Sequence, residues 1–216
     1  PLLQAAGHEV LTPTLTGLGE RAHLHGQHID FNTHVQDILN VLDYEDLDDV
    51  LLCGHSYGAG VVLAVAHQAP ERLARLITLD GLMPTPNRSY RDAYPKFYDR
   101  LRELAIEEGN KWWVPMPPKW NFGITNDDDM AWLRAKVTTF PMKALETTIH
   151  FQLPINSKVP HTFISCTEGQ PEEHLTAEKQ AVSEQGWHYC TLNTGHDAMI
   201  TDPDGLANLL LKLAPG

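Results

Sequence analysis

Cysteine is scarce in this 216-residue chain, with only Cys53, Cys166 and Cys190. An odd count, each thiol in or beside an apolar strand-like segment, argues against a disulfide framework. It predicts buried free thiols in a reducing compartment, hence a cytoplasmic location, with Cys166 and Cys190 able to neighbour each other across a sheet. A basic stripe is also missing. Lys plus Arg number 16 against 28 Asp plus Glu, a formal charge of −12, so neither nucleic acid nor an anionic membrane is expected as a partner. No apolar run approaches the length of a membrane span. No low-complexity tract or internal repeat interrupts the chain. No signal peptide is visible, although the chain opens at Pro1 and not at Met, so nothing about targeting follows.

What is present is ordinary globular composition, 42% apolar and 20% charged, enough for one large domain with a full core. Leu2 to Ala6 reads as the end of a helix stopped by Gly7. His8 to Thr12 reads as a strand limited by Pro13. Asn32 or Thr33 is placed to cap a helix carrying Val35, Ile38, Leu39 and Leu42 on one face. Val50 to Cys53 is a buried strand, Ala59 to Ala69 a helix of small residues closed by Pro70, and Leu76 to Leu79 a further strand. From Pro84 to about Pro154 the character changes to Pro-rich turns and helical pieces, Arg91 to Glu108 and Asp128 to Ala135. Phe97, Trp112, Trp113, Trp120, Phe122, Trp132 and Phe140 fall in this stretch. They suit the stretch's own core and a substrate lining equally. Alternation then resumes with strand His161 to Cys166, a helix near Ala177 to Gln185, strand Trp187 to Leu192, and a last helix opened by Asp202-Pro203. The fold class is therefore α/β, a mostly parallel sheet with helices on both faces. Residues 1–83 and 155–216 form the two parts of its core, and residues 84–154 an inserted helical cap.

The chemistry centres on Gly54-His55-Ser56-Tyr57-Gly58. A G-x-S-x-G pentapeptide between a buried strand and a helix is the setting of a nucleophile elbow. Glycines leave room for a strained turn, and the helix start favours negative charge where an oxyanion would form. A serine hydroxyl needs a positioned base. Of 12 histidines, His196 in Asn193-Thr194-Gly195-His196-Asp197 follows the last strand on the elbow's edge of a parallel sheet, and is the candidate. Two strand ends offer a carboxylate to orient it. Asp80 ends its strand cleanly, with Gly81 freeing the backbone to turn, and is preferred to Glu168, which lies two residues past its strand. The His23 to His28 loop fits no common closed zinc site. Asp127 to Asp129 read as an N-terminal helix cap and not as a cation site. No metal and no cofactor are expected.

With the order Ser, acid, His, the chain resembles the α/β-hydrolases. Within them it is similar to small bacterial esterases related to plant methyl-salicylate and methyl-jasmonate esterases and hydroxynitrile lyases. The stretches that carry the likeness are Ala6 to Val10, Thr12 to Arg21, His34-Val35-Gln36-Asp37, Gly54 to Gly58, Leu79-Asp80 with Met83-Pro84, and Gly195 to Asp197. The resemblance implies a cofactor-free serine esterase: Ser56 as nucleophile, His196 as base, Asp80 (alternatively Glu168) as acid, and the Tyr57 N–H as an oxyanion donor. Its partner is a small ester and, at most, a second copy in a homodimer. Two alternatives stand beside it: a hydroxynitrile lyase on the same triad, or a catalytically impaired ligand-binding member. Family members also carry an earlier strand ending in His-Gly, which supplies a second oxyanion N–H. Nothing before His8 matches it, so an N-terminally incomplete sheet is expected. The His8–Thr12 and Val50–Cys53 strands would then stand about 9–10 Å apart across a gap.

Overall fold

The computed structural model of the chain describes residues 1–152 and 159–214. A short helix α1 (Leu2–Ala5) precedes α2 (Phe31–Tyr44), β1 (Val50–His55), α3 (Gly58–Gln68) and β2 (Leu73–Leu79). Between β2 and the next main strand lie α4 (Tyr90–Ala93), α5 (Pro95–Glu108), β3 (Trp113–Val114), α6 (Asp127–Lys136), β4 (Phe140–Pro141) and α7 (Met142–Glu146). The chain then alternates through β5 (His161–Cys166), α8 (Glu172–Glu184), β6 (His188–Leu192), α9 (Ala198–Thr201) and α10 (Pro203–Leu213). The expected end of the insertion at Pro154 falls outside the described residues.

The main sheet has the order β1-β2-β5-β6, and every pairing is parallel. Its inner strands alternate between two apolar layers, as a sheet covered on both faces must. On β2, Leu76 joins the layer built by α2 and α3, while Ile77 joins the layer containing Ile164 and Leu206 of α10. On α2, Phe31, His34, Val35, Ile38 and Leu42 are buried, spacings that lie along one face of a helix. In α3 the residues from Ala59 to Ala66 are all buried. Small side chains there let the helix lie close on the sheet.

Several local expectations change. The cap of α2 is Asp30, not Asn32 or Thr33: the Asp30 carboxylate accepts the Thr33 N–H at 2.9 Å, and the Thr33 hydroxyl oxygen accepts the Asp30 N–H at 3.3 Å. The helix expected from Arg91 to Glu108 breaks at Tyr94, ahead of Pro95, because proline disfavours helical backbone at the residue before it. Only Cys166 is a buried thiol; Cys53 is exposed and Cys190 half-buried, because β1 and β6 are the outer strands of the sheet. Cys190 pairs with Ile164 across the β5–β6 ladder, so Cys166 and Cys190 sit on neighbouring strands two positions out of register, and all three thiols are free.

The His8–Thr12 strand does not form. Residues 8–13 make no ladder with any strand among the described residues, and β1 pairs only with β2. Between the 8–13 segment and β1 runs a trough of about 740 Å³, walled by Val10, Leu11, Leu51, Leu52, Cys53 and Leu210. The 8–13 segment has not paired with β1 across that trough. An apolar-alternating segment becomes a strand only when a neighbour supplies its hydrogen bonds; here none does.

Candidate active site

The elbow is built by opposing demands on its two ends. A Cβ on Gly54 would run into the Gly58 carbonyl and, at 2.6 Å, Val62 Cγ2, so only glycine lets β1 and α3 meet this closely. Gly58 faces open space, and the strain expected of the glycines falls on Ser56 itself, at φ 52°. A non-glycine residue holds such a conformation only when its surroundings over-determine it. They do: the Ser56 N–H donates to Leu79 O at 3.0 Å, and its carbonyl accepts from Ala59 and Leu82 at 3.1 Å each. Tyr57 caps α3 with helical backbone (φ −54°, ψ −37°), so its N–H belongs to the helix start, where donors lack intrahelical partners.

His55 pairs with Leu79 across the β1–β2 ladder, which sets Ser56 and Asp80 side by side at the sheet's carboxyl edge. Asp80 also sits at positive φ, 42°, whereas Gly81 does not, so the turn expected of the glycine is carried by the aspartate. Its carboxylate is fixed at both oxygens: Oδ1 accepts the Cys166 N–H at 3.1 Å, and Oδ2 stands 2.5 Å from His196 Nδ1. Glu168 makes no such contact; it is exposed, and its N–H donates to Thr194 O at 3.1 Å. Of the two candidate carboxylates, Asp80 is the one brought to the His196 ring. Among the described residues no hydrogen bond joins the Ser56 hydroxyl to that ring.

Ser56 and Tyr57 open onto a cavity of about 400 Å³. Phe97, Trp120, Phe122 and Phe140 line it, with Leu18 and Gly19 from the 14–21 loop and Lys136 from the end of α6. The aromatic block thus divides. Four rings line the cavity, Trp113 stacks on His25 at 4.1 Å, and Trp112 and Trp132 are exposed. α6 starts at Asp127, and its cap is Asn126, not the acidic run: the Asn126 side chain accepts the Asp129 N–H at 2.9 Å, and the three aspartates fill the first turn, where the helix dipole favours them.

The model of the alpha/beta hydrolase family matches residues 1–209. The chain belongs to that family. Among curated proteins this α/β-hydrolase is 29% identical to the carbendazim hydrolyzing esterase of Nocardioides sp. (strain SG-4G), over 98% of this chain and 90% of that protein. Among solved structures it is similar to an extracellular α/β-hydrolase from a Paenibacillus species, at TM-score 0.81 and 20% identity over 100% of this chain and 91% of the other. A methylesterase from Arabidopsis follows at TM-score 0.70 and 20% identity, over 98% and 89%. At these identities the two solved structures show a shared fold.

Sequence reasoning missed three parts of this hydrolase's site. His55, before the nucleophile candidate, lies 4.5 Å from the His196 ring, and its Nε2 is 2.9 Å from the His196 carbonyl. Burial, and then the neighbouring His196 charge, push His55 down to about 4, so the ring is neutral and Nε2–H donates to that carbonyl. Phe122 also stacks on His196, with ring centroids 5.8 Å apart. That packing depends on a backbone contact between Gly123 and Gly195, where a Cβ on Gly195 would meet Gly123 Cα at 2.6 Å, and on the Asp197 N–H donating to Phe122 O at 3.1 Å. Third is His34, fully buried beneath Tyr57. No periodic pattern separates these from core histidines and aromatics. As for metals, the ligand atoms of His55, His196 and Asp197 lie within 4.8 Å of one another. His55 Nε2 meets the His196 carbonyl and His196 Nδ1 meets Asp80, so one nitrogen of each ring is already engaged in the hydrogen bonds of the site. Among the described residues no helix is long and apolar enough to cross a membrane.

Proposed function

We propose that this α/β-hydrolase is a serine esterase acting on small carboxylic esters with an aryl or short acyl group. The observation that carries the reading is the 2.5 Å contact between Asp80 and His196 Nδ1, beside an elbow serine that faces an aromatic-lined cavity of about 400 Å³. Relatives named as esterases support ester hydrolysis in general. In this mechanism Asp80 holds His196 with its proton on Nδ1, leaving the Nε2 lone pair as base. His196 takes the Ser56 hydroxyl proton as Oγ attacks the ester carbonyl, and the Tyr57 N–H stabilises the oxyanion. The imidazolium returns that proton to the departing alcohol, leaving an acyl-serine. Water, deprotonated by the same ring, releases the acid. The Ser56–His196 hydrogen bond that this mechanism needs forms in the substrate complex, where catalytic contacts commonly draw together.

The test is turnover of p-nitrophenyl and methyl aryl esters by the wild type and by Ser56→Ala, with fluorophosphonate labelling alongside. The alanine variant should lose several orders of magnitude in rate and all labelling while keeping its melting temperature. More than about a tenth of the activity remaining in Ser56→Ala overturns the proposal. Mandelonitrile belongs in the same panel, since cleavage of the cyanohydrin in preference to every ester would assign the site to the lyase reaction.

A further inference from the structure

We propose that His34 is a positioning residue of this site: it holds the oxyanion donor Tyr57 through that residue's hydroxyl, and ties it through Thr16 to the loop that walls the substrate cavity. The inference rests on the serine-hydrolase reading above and adds a part of the machinery that lies beneath the elbow.

His34 has no exposed surface, yet both ring nitrogens meet polar atoms of other segments. Nδ1 is 2.8 Å from the Tyr57 hydroxyl, and Nε2 is 3.1 Å from the Thr16 carbonyl. A carbonyl only accepts, so Nε2 carries the proton. Burial lowers the ring's affinity for a second proton, so His34 is neutral, and its Nδ1 lone pair accepts the Tyr57 O–H. One tautomer is thus fixed, and with it the direction of both bonds.

Each end of this bridge is held by further contacts. On one side, the Tyr57 ring is packed by Phe140 at 4.7 Å and Phe31 at 6.0 Å, and its carbonyl accepts the Gly60 N–H at 3.1 Å. With hydroxyl, ring and carbonyl all fixed, the Tyr57 N–H cannot swing away from the Ser56 side of the elbow. On the other side, Thr16 is gripped by Asp37, which accepts its N–H at 2.6 Å and its hydroxyl at 2.7 Å. Arg21 closes the circuit, donating to Thr14 O at 2.8 Å and to Asp37 at 3.3 Å. His34 and Asp37 stand three residues apart on α2, so one helix face presents both. The loop they hold contributes Leu18 and Gly19 to the cavity wall, and the Gly19 N–H donates to Thr138 in the insertion at 3.0 Å. An apolar side chain of similar size would fill the same volume. What it would lose is the pair of directional bonds, and buried directional bonds are what fix a geometry to a fraction of an ångström.

The experiment compares Tyr57→Phe, His34→Leu, their double variant and His34→Gln with the wild type. Fluorophosphonate titration counts competent sites, and kcat and KM for a p-nitrophenyl ester are then expressed per labelled site. Phenylboronic acid, which forms a tetrahedral adduct on a reactive serine, reports on the oxyanion geometry. Tyr57→Phe and His34→Leu should each lower kcat per site about ten-fold or more, with KM changed less than about three-fold. Boronate affinity should fall by the same factor as kcat/KM. The double variant should be no worse than the worse single one, because the two residues act as a unit. His34→Gln, whose amide can donate to Thr16 and accept from Tyr57, should recover most of the loss. Variants that melt earlier but keep wild-type kcat per labelled site and boronate affinity overturn the proposal and leave His34 a packing residue. If His34→Leu does not fold, Tyr57→Phe alone carries the test, since it keeps the ring and removes only the hydroxyl. A wild type that neither labels at Ser56 nor turns over any ester overturns the serine-hydrolase reading itself, a different result from either.

Discussion

Asp80 is constrained in backbone and side chain together: left-handed φ of 42°, one carboxylate oxygen held by the Cys166 N–H and the other against His196. Positive φ at a non-glycine residue costs free energy, on the order of 1 kcal/mol or more, and persists where the surroundings impose it. An asparagine can keep the bond from Cys166, because its Oδ1 still accepts. Its amide nitrogen, however, would face His196 Nδ1 and donate, forcing the imidazole proton onto Nε2 where the base lone pair is needed. Asp80→Asn should therefore lower kcat by roughly ten-thousand-fold with little change in fold, the size of effect that tautomer inversion has in a serine protease. Glu168→Gln should be nearly silent. Steady-state kinetics on one p-nitrophenyl ester checks both; the reverse pattern would move the orienting role to Glu168.

At the scale of elements, caps give the sharpest expectations. Replacing Asp30 by alanine removes the side chain that accepts the Thr33 N–H and so breaks the reciprocal cap of α2. The loss should be about 1 kcal/mol, read as a shift in the urea midpoint with unchanged slope. A silent Asp30→Ala would mean that the 26–30 turn, where the Ile29 N–H donates to Gly26 O at 3.0 Å, holds the helix start unaided. This site also shows what pattern alone misses. The α2 face was legible because apolar spacing is intrinsic to the helix, but Asp30 and Thr33 are both capping types, and only geometry decides which one sits outside the first turn. The elbow was legible for a different reason: an apolar run, a G-x-S-x-G turn and a small-residue helix all point the same way. His8 to Thr12 illustrates the opposite case. Its pattern is that of a strand, yet a strand is a relation between two segments, and residues 8–13 pair with no strand among the described residues. His34 falls on the apolar face of α2, yet neither its role nor that of His55 was legible, because spacing does not say which atoms face a ring nitrogen; burial and the identity of those atoms single them out.

Across the whole molecule, the buried histidines set how stability responds to acid. Burial pushes His161 down to about 3 and His55 to about 4, and lowers His34 as well. In the unfolded chain each returns to about 6.5. Between roughly pH 6.5 and pH 4 the unfolded state therefore holds protons that the native state refuses, so stability is fully present above that window and is lost as pH falls through it. Burial also raises the Asp197 carboxyl, which acts in the opposite sense, since the native state then binds a proton before the unfolded one does. A variant that differs in one histidine leaves that contribution unchanged, so the difference in slope between pH 6.5 and 5 reports that histidine. Each group contributes a slope of up to about 1.4 kcal/mol per pH unit there. His161 offers the cleanest test, because it lies outside the active site, under Trp187 at 3.9 Å, with Nε2 3.0 Å from the Thr78 hydroxyl. His161→Phe keeps an aromatic ring against Trp187 and removes one titrating group. Urea unfolding at several pH values should show wild-type stability falling from pH 6.5 to 5, and falling less steeply in the variant by about one proton's worth of slope. Equal slopes would mean that His161 takes up its proton in the native state, and that the β2–β5 interface admits a charged imidazole despite its burial.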